Sequence, residues 1–339
     1  MNTNYQIEEL SSKIEGFKLT SPQGHAVCIA PLAGFNAYSF RVPIEHGELR
    51  VLDEPTEEAL KTGSFSYGYP ILFPFANRIR DGIYVFEGRT YQLDVNFDDG
   101  NAIHGLVYNR EWKIVGQGAD EESAWLSAQF DTRQDADVFR QYPFETVFTA
   151  TWRLKDASLI LETHIENVGD SNMPMSYGVH PWFPLPLTTR GQRESCVLNL
   201  PASARWELEG DGQDPNAQLI PTGKITPVSE TDDFRDGKSI GTQFLDAVFT
   251  DLQFSGDEHI CSVVDPGSEL KLTMKSSPQS AWREFVIYAP LNRNIICLEP
   301  YSGTTDAPNL HNAGIDAGLV ILEPSEIWLS KISIEIELL

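Results

Sequence analysis

The chain has 339 residues, 41% of them apolar, enough to bury a large core either as one all-β unit or as two smaller domains. Lys and Arg number 25 against 49 Asp and Glu, a formal charge of −24, so the surface field repels nucleic-acid phosphates and anionic lipid headgroups, and no basic patch in the sequence offsets it. Cys28, Cys196, Cys261 and Cys297 are scattered without a Cys-x-x-Cys pair or the paired spacing of a secreted scaffold, which reads as reduced, mostly buried thiols.

The N-terminal run MNTNYQIEELSSKIEG is acidic where a secretory leader would be basic and then apolar. No later stretch reaches the length of a membrane span, so the expected location is the cytoplasm. Pro55–Lys61 is the first segment with a helical pattern and Ala136–Gln141 the second, each about two turns or less. Between them, Ile83–Leu93 reads as a hairpin: Tyr84 and Phe86 precede a Glu87-Gly88 turn, and Tyr91 and Leu93 follow it. Alternation with a period of two recurs at Leu159–Ile165, Leu270–Met274 and Phe285–Ile287. It is clearest at the C-terminal end, where Trp328, Ile332, Ile334, Ile336 and Leu338 alternate with Lys331, Ser333, Glu335 and Glu337. With 25 Gly and 21 Pro punctuating many short strands, the pattern predicts an all-β fold, a large antiparallel sandwich with few short helices, forming one domain over 1–339. Ala202–Asp246 is polar, rich in Pro and Gly and without a clear period until QFLDAVF, and is expected to form long loops over one face.

Three islands carry the chemistry. YPILFPFANRIRDG (Tyr69–Gly82) pairs with NAIHG (Asn101–Gly105), and SYGVHPWF (Ser176–Phe183) and LEPYSGTTDAPN (Leu298–Asn309) follow. Together they supply two histidines, an arginine and a carboxylate, a set able to take a proton from one sugar oxygen while delivering one to another. Glu299 follows the apolar run Ile295-Ile296-Cys297-Leu298, and a carboxylate at the end of a buried strand is costly unless it is used. Partial burial would raise its pKa toward that of a useful base. His180 is fixed between Val179 and Pro181, where proline favours an extended, rigid backbone for the residue before it. Arg78 has donors to fork two adjacent hydroxyls or to orient Glu299, and Asn77 is an amide suited to hydroxyl recognition. Gly105 would allow close approach of backbone to substrate, and Trp182 could offer an apolar platform for a pyranose face, though an aromatic beside proline is more often core packing. Cys297 reads as a small core residue rather than a nucleophile, because no positive group accompanies it in the sequence. His25, His46, His164, His259 and His311 match no motif.

These motifs, in this order, resemble the aldose 1-epimerase (galactose mutarotase-like) family, over roughly Gly68 to Asn309. The resemblance implies a β-supersandwich with a sugar cleft on one face, and interconversion of the α and β anomers of a hexose without a cofactor. It implies catalytic roles for Glu299, as the base that removes the C1 hydroxyl proton, and for His180, as the acid that protonates the ring oxygen. Substrate binding falls to Arg78, His104, Asp246 and Asn77. No metal is implied; a metal enzyme using His104, His180 and Glu299 would normally show a close His-x-His spacing, which is absent. The implied partner is a small sugar, with no nucleic acid or membrane, and the protein is expected as a monomer or homodimer. The motif departs from the family pattern at Ser176-Tyr177-Gly178-Val179, where a longer Asn/Thr-rich stretch is usual, which leaves the preferred sugar open. A hexose-6-phosphate 1-epimerase of the same fold would need cations at the cleft, for which Arg78, Arg80 and Arg89 are candidates. A non-catalytic carbohydrate-binding protein would keep Arg78, Asp246 and Trp182 without needing Glu299 paired to His180.

Overall fold

The computed structural model describes residues 4–11, 15–45, 47–210, 212–214 and 217–339; His46 and parts of the acidic N-terminal run lie outside them. Among the described residues, alternation of large apolar and polar side chains organises three antiparallel sheets of five, nine and eight strands, with shorter ribbons beside them. The first is a meander of Gln6–Ser11, Glu15–Thr20, Ala26–Ala30, Asn36–Ile44 and Gly47–Arg50. The nine-stranded sheet centres on Thr146–Lys155, Ser158–Asn167, Ile327–Leu338 and Leu270–Ser277. In Thr146–Lys155 the inward positions are Phe148, Ala150, Trp152 and Leu154, all buried. The C-terminal strand is held on both sides, with Ile165 opposite Trp328 and Met274 opposite Ile334.

The eight-stranded sheet carries Ala202–Leu208, Leu245–Leu252, Glu284–Ala289 and Ile295–Tyr301 in adjacent positions, and Gly178–Val179 beyond them. The two large sheets share one apolar cluster, in which the Phe148 ring meets Phe73 at 5.3 Å and Tyr177 at 5.7 Å between ring centres. Trp152 ties this core to the five-stranded sheet region: its indole N–H donates to the Phe35 carbonyl at 2.8 Å, and its ring packs edge-on to Tyr69 at 4.8 Å.

The Ile83–Leu93 expectation is met by paired strands Ile83–Phe86 and Arg89–Gln92. Glu87 and Gly88 both have positive φ (48° and 74°), as a primed two-residue turn demands. The Ala136–Gln141 helix has the expected bounds, whereas the first helix is Glu57–Lys61, because Thr56 caps it by accepting from the Ala59 N–H and Pro55 stays outside. Among the described residues a third α-helix, Ala307–Asn312, was not legible: unlike Ala136–Gln141, which Asp135 caps, it has no side-chain cap at its start, and tertiary packing makes it.

The reading of Ala202–Asp246 as loops is corrected. It holds the strands Ala202–Leu208, Pro221–Pro227 and Lys238–Ser239 and the start of Leu245–Leu252, while residues 211, 215 and 216 fall outside the described set. The buried positions of its first strand are Ala202, Ala204 and Trp206, and small alanines among polar residues leave almost no hydropathic alternation to read. Gly105 also differs from expectation. A Cβ there would stand 2.3 Å from the Phe73 carbonyl oxygen, so its missing side chain admits the protein's own backbone rather than a substrate.

Replacing Trp152 by Ala should remove about 3–5 kcal/mol of stability, read by chemical denaturation, through the cavity left at the junction of the sheets.

Candidate active site

The pleat of Ile295–Tyr301 sets the floor of the site. Ile296 and Leu298 enter the main core, while Cys297, Glu299 and Tyr301 take the opposite face. Pairing then brings Val286 opposite Glu299, Tyr288 opposite Cys297 and Asp246 opposite Tyr288. On the other side, Gly178 pairs with Tyr301 and Trp182 with Cys297, which places His180 between them and beside Glu299. Gly178 makes this possible. A Cβ there would be 2.3 Å from the Tyr301 ring, so the Ser176-Tyr177-Gly178-Val179 sequence leaves room for that ring, and the Tyr177 side chain itself is buried in the core with its hydroxyl 3.1 Å from that of Thr163.

Asn77 and His104 arrive from a different ribbon, in which Ala102–Ile103 pairs with Arg78–Ile79. Both have left-handed backbones (φ 61° and 64°), a costly conformation for non-glycine residues that concentrates at functional sites. They hold each other in place, since the His104 N–H donates to the Asn77 carbonyl at 2.9 Å.

All six residues expected at the site line one cavity of about 450 Å³: Glu299, His180, His104, Arg78, Asn77 and Asp246. A larger cavity of about 1330 Å³ lies beside it and shares Arg293, but its lining includes no histidine, so both histidines belong to the smaller one. Within that cavity Glu299 Oε1 lies 3.5 Å from His180 Nδ1, and both side chains are almost completely buried. The Tyr301 hydroxyl donates to Glu299 Oε2 at 2.5 Å. Burial pushes the Glu299 carboxyl well above the ordinary carboxylate range; the Tyr301 hydrogen bond opposes this, the Asp246 carboxyl reinforces it and Arg78 opposes it. Burial drives His180 the other way, down to about 3, with the Arg293 charge adding to the effect. His104 is held well below its usual value by burial, then by His180 and Arg78. Burial raises Asp246 to about 6, against the pull of Arg78. Burial thus favours the neutral form of both groups, lifting the Glu299 carboxyl and lowering the His180 imidazole.

Two expected contacts are replaced by others. Arg78 does not orient Glu299: its Nε donates to Asp99 Oδ2 at 2.7 Å and its Nη1 to Asn77 Oδ1 at 3.3 Å, and its guanidinium lies 5.3 Å from the Phe97 ring centre. Trp182 is not a free sugar platform. Its ring stacks on the His180 imidazole at 4.7 Å and 9°, Arg293 sits 4.5 Å from its centre, and its indole N–H donates to the Phe65 carbonyl at 2.8 Å. Phe65 also packs edge-on to His104 at 4.6 Å, so the two histidines stand in an aromatic cage, 4.9 Å apart.

Sequence reading missed Tyr301, Arg293 and Asp99. Tyr301 was findable, because two residues after Glu299 on a strand means the same face. Arg293, in the segment before the strand, and Asp99, in an Asp-Asp-Gly turn, carry no local signal; each is defined by what it meets, Asp53 for Arg293 at 2.8 Å and Arg78 for Asp99.

A large antiparallel sandwich with a carboxyl–imidazole pair in a cleft on one sheet face defines the class, a galactose mutarotase-like fold. The chain belongs to the aldose 1-epimerase family, whose sequence profile matches residues 18–335. It is 28% identical over 258 residues to the uncharacterised protein YihR of Escherichia coli K12, spanning 75% of this chain and 74% of that one. A galactose mutarotase-like protein of Clostridium acetobutylicum superposes over 100% of both chains with a TM-score of 0.87 and 22% identity. A galactose 1-epimerase of Lactobacillus acidophilus superposes over 98% of both with a TM-score of 0.73 and 19% identity, a likeness of fold.

The raised Glu299 carboxyl has a thermodynamic signature. Unfolded, it ionises near about 4.3; folded, it keeps its proton, so between that pH and its higher folded value stability falls as pH rises. Glu299→Gln cannot ionise, and its side-chain oxygen can still accept from Tyr301. Its melting temperature should exceed that of the wild type at about pH 7 and converge with it near about pH 4, as scanning calorimetry across pH would show.

Proposed function

We propose that the protein is an aldose 1-epimerase that interconverts the α and β anomers of a neutral hexose by opening and reclosing the pyranose ring. The observation that carries this reading is the 3.5 Å approach of Glu299 Oε1 to His180 Nδ1, both side chains buried, in the wall of the cavity.

Desolvation leaves a proton on the carboxyl. Sugar hydroxyls and the Tyr301 hydroxyl stabilise the carboxylate once substrate fills the cavity, and the proton passes across the contact to His180 Nδ1. Glu299 then takes the proton from the C1 hydroxyl, while His180, through its other nitrogen, donates to the ring oxygen as the C1–O5 bond breaks. The open-chain aldehyde is thus formed with the carboxyl protonated and the imidazole neutral, the arrangement that burial favours. Rotation about C1–C2 presents the opposite carbonyl face, and the two proton transfers run backwards to close the other anomer. His104, kept neutral, hydrogen-bonds the sugar near the ring oxygen, and Arg78, Asn77 and Asp246 bind hydroxyls.

The charge of the lining supports a neutral sugar over a sugar phosphate. Asp98, Asp99, Asp214, Asp246 and Glu299 face the cavity, and its two arginines are engaged, Arg78 with Asp99 and Arg293 with Asp53. Arg80 pairs with Glu209, and neither Arg80 nor Arg89 lines the cavity. A purely sugar-binding protein would have no use for the protonated carboxyl against the imidazole.

Polarimetry on freshly dissolved α-D-glucose and α-D-galactose tests the reading. Wild type should accelerate equilibration over the spontaneous rate, and Glu299→Gln and His180→Ala should each lose about 10²–10⁴-fold of that acceleration. Absence of acceleration by the wild type on either hexose, or full activity in both variants, would refute it.

The pH–rate profile, corrected for the spontaneous reaction, gives a second check. The pair itself should impose no acid limb above about 3, where His180 gains a second proton, while Asp246, at about 6, adds its own step in substrate binding; activity should fall on the alkaline side as the pair loses its proton. In Asp246→Asn, which removes that step, an acid limb persisting near about 6.5, the value of an exposed histidine, would contradict the buried pair.

A further inference from the structure

One group of side chains meets as a ligand set that the acid–base scheme leaves unused. The donor atoms of His180, Cys297 and Glu299 all lie within 4.8 Å of one another, and all three residues are buried. Two local rules assemble them. The strand pleat puts residues 297 and 299 on the same face, and the pairing of Trp182 with Cys297 brings the His180–Trp182 stack over the thiol. His180 Nδ1 is buried without a hydrogen-bond partner, 3.5 Å from Glu299. A buried acceptor or donor left unmade is expensive, and here it faces a thiol and a carboxyl.

We propose that this triad is a binding site for a borderline-soft divalent cation of the zinc class, and that the bound ion inhibits the enzyme by occupying both members of the acid–base pair. The inhibitory part rests on the epimerase reading above; the metal site does not. Thiolate, imidazole and carboxylate together suit zinc or cobalt(II) and not magnesium or calcium, which take oxygen ligands. Tetrahedral zinc bonds of about 2.0–2.3 Å put neighbouring donors roughly 3.3–3.8 Å apart, so the His180–Glu299 pair is already spaced for it and the thiol has to close by no more than about 1 Å. The fourth position opens to the cavity that Glu299 and His180 line, for a water or a sugar hydroxyl.

Titration of the chelator-treated full-length protein with cobalt(II) tests the site without reference to catalysis. The expected result is a thiolate-to-cobalt charge-transfer band with tetrahedral visible bands, displaced by zinc and untouched by magnesium. Cys297→Ser should lose the band and bind zinc more weakly by more than the roughly 10- to 100-fold that loss of an outer-shell partner costs. Glu299→Gln should keep the band with weaker binding, which guards against a Cys297 variant that fails to fold. Cobalt binding without a thiolate band, or wild-type zinc affinity in folded Cys297→Ser, would overturn the proposal. The band without mutarotation of any hexose would keep the site and refute the epimerase reading; mutarotation that zinc inhibits competitively and a chelator restores would support both.

Discussion

A carboxyl and an imidazole buried 3.5 Å apart are the constraint around which this molecule is arranged. In water the proton would prefer the imidazole, because the ordinary histidine value exceeds that of glutamate by about two units. Burial reverses the order, since each group is pushed toward its neutral form and the pair shares one proton with no net charge. That reversal leaves the carboxyl, rather than the imidazole, as the favoured holder of the proton.

Maintaining such a pair requires rigid walls. Glu299 lies in a strand paired on both sides, with Tyr301 holding one carboxyl oxygen. His180 is flanked by proline and pressed against the Trp182 ring, which Arg293 clamps in turn while Asp53 holds the guanidinium. The arginine thus acts through an aromatic ring on the residue behind it, adding a positive charge that keeps the imidazole neutral. The opposite wall stores backbone strain at Asn77 and His104, locked by the hydrogen bond between them. Strain and desolvation are both tolerated because the two large sheets share a continuous aromatic core beneath.

How far the sequence could be read depended on whether a feature was local. The alternation in Ile327–Leu338 and the Glu87-Gly88 turn were legible because each is set by neighbouring residues. The strand Ala202–Leu208 was not, since its inward alanines gain their burial only from the strands beside them. The six site residues were named from short motifs, and all six share one cavity. Their partners were misjudged wherever partnership crosses the chain: Arg78 turned to Asp99, and Trp182 gave its faces to His180 and Arg293.

By itself the sequence determined that this is an all-β protein and singled out strand-borne Glu299 and proline-flanked His180, because strand period, turn residues and the cost of a carboxylate in an apolar run are properties of adjacent residues. Only the tertiary structure decided where the proton rests, which arginine reaches the site and that Cys297 stands with the pair. Those depend on desolvation and on contacts between segments over a hundred residues apart, and neither is written in any one stretch of the chain.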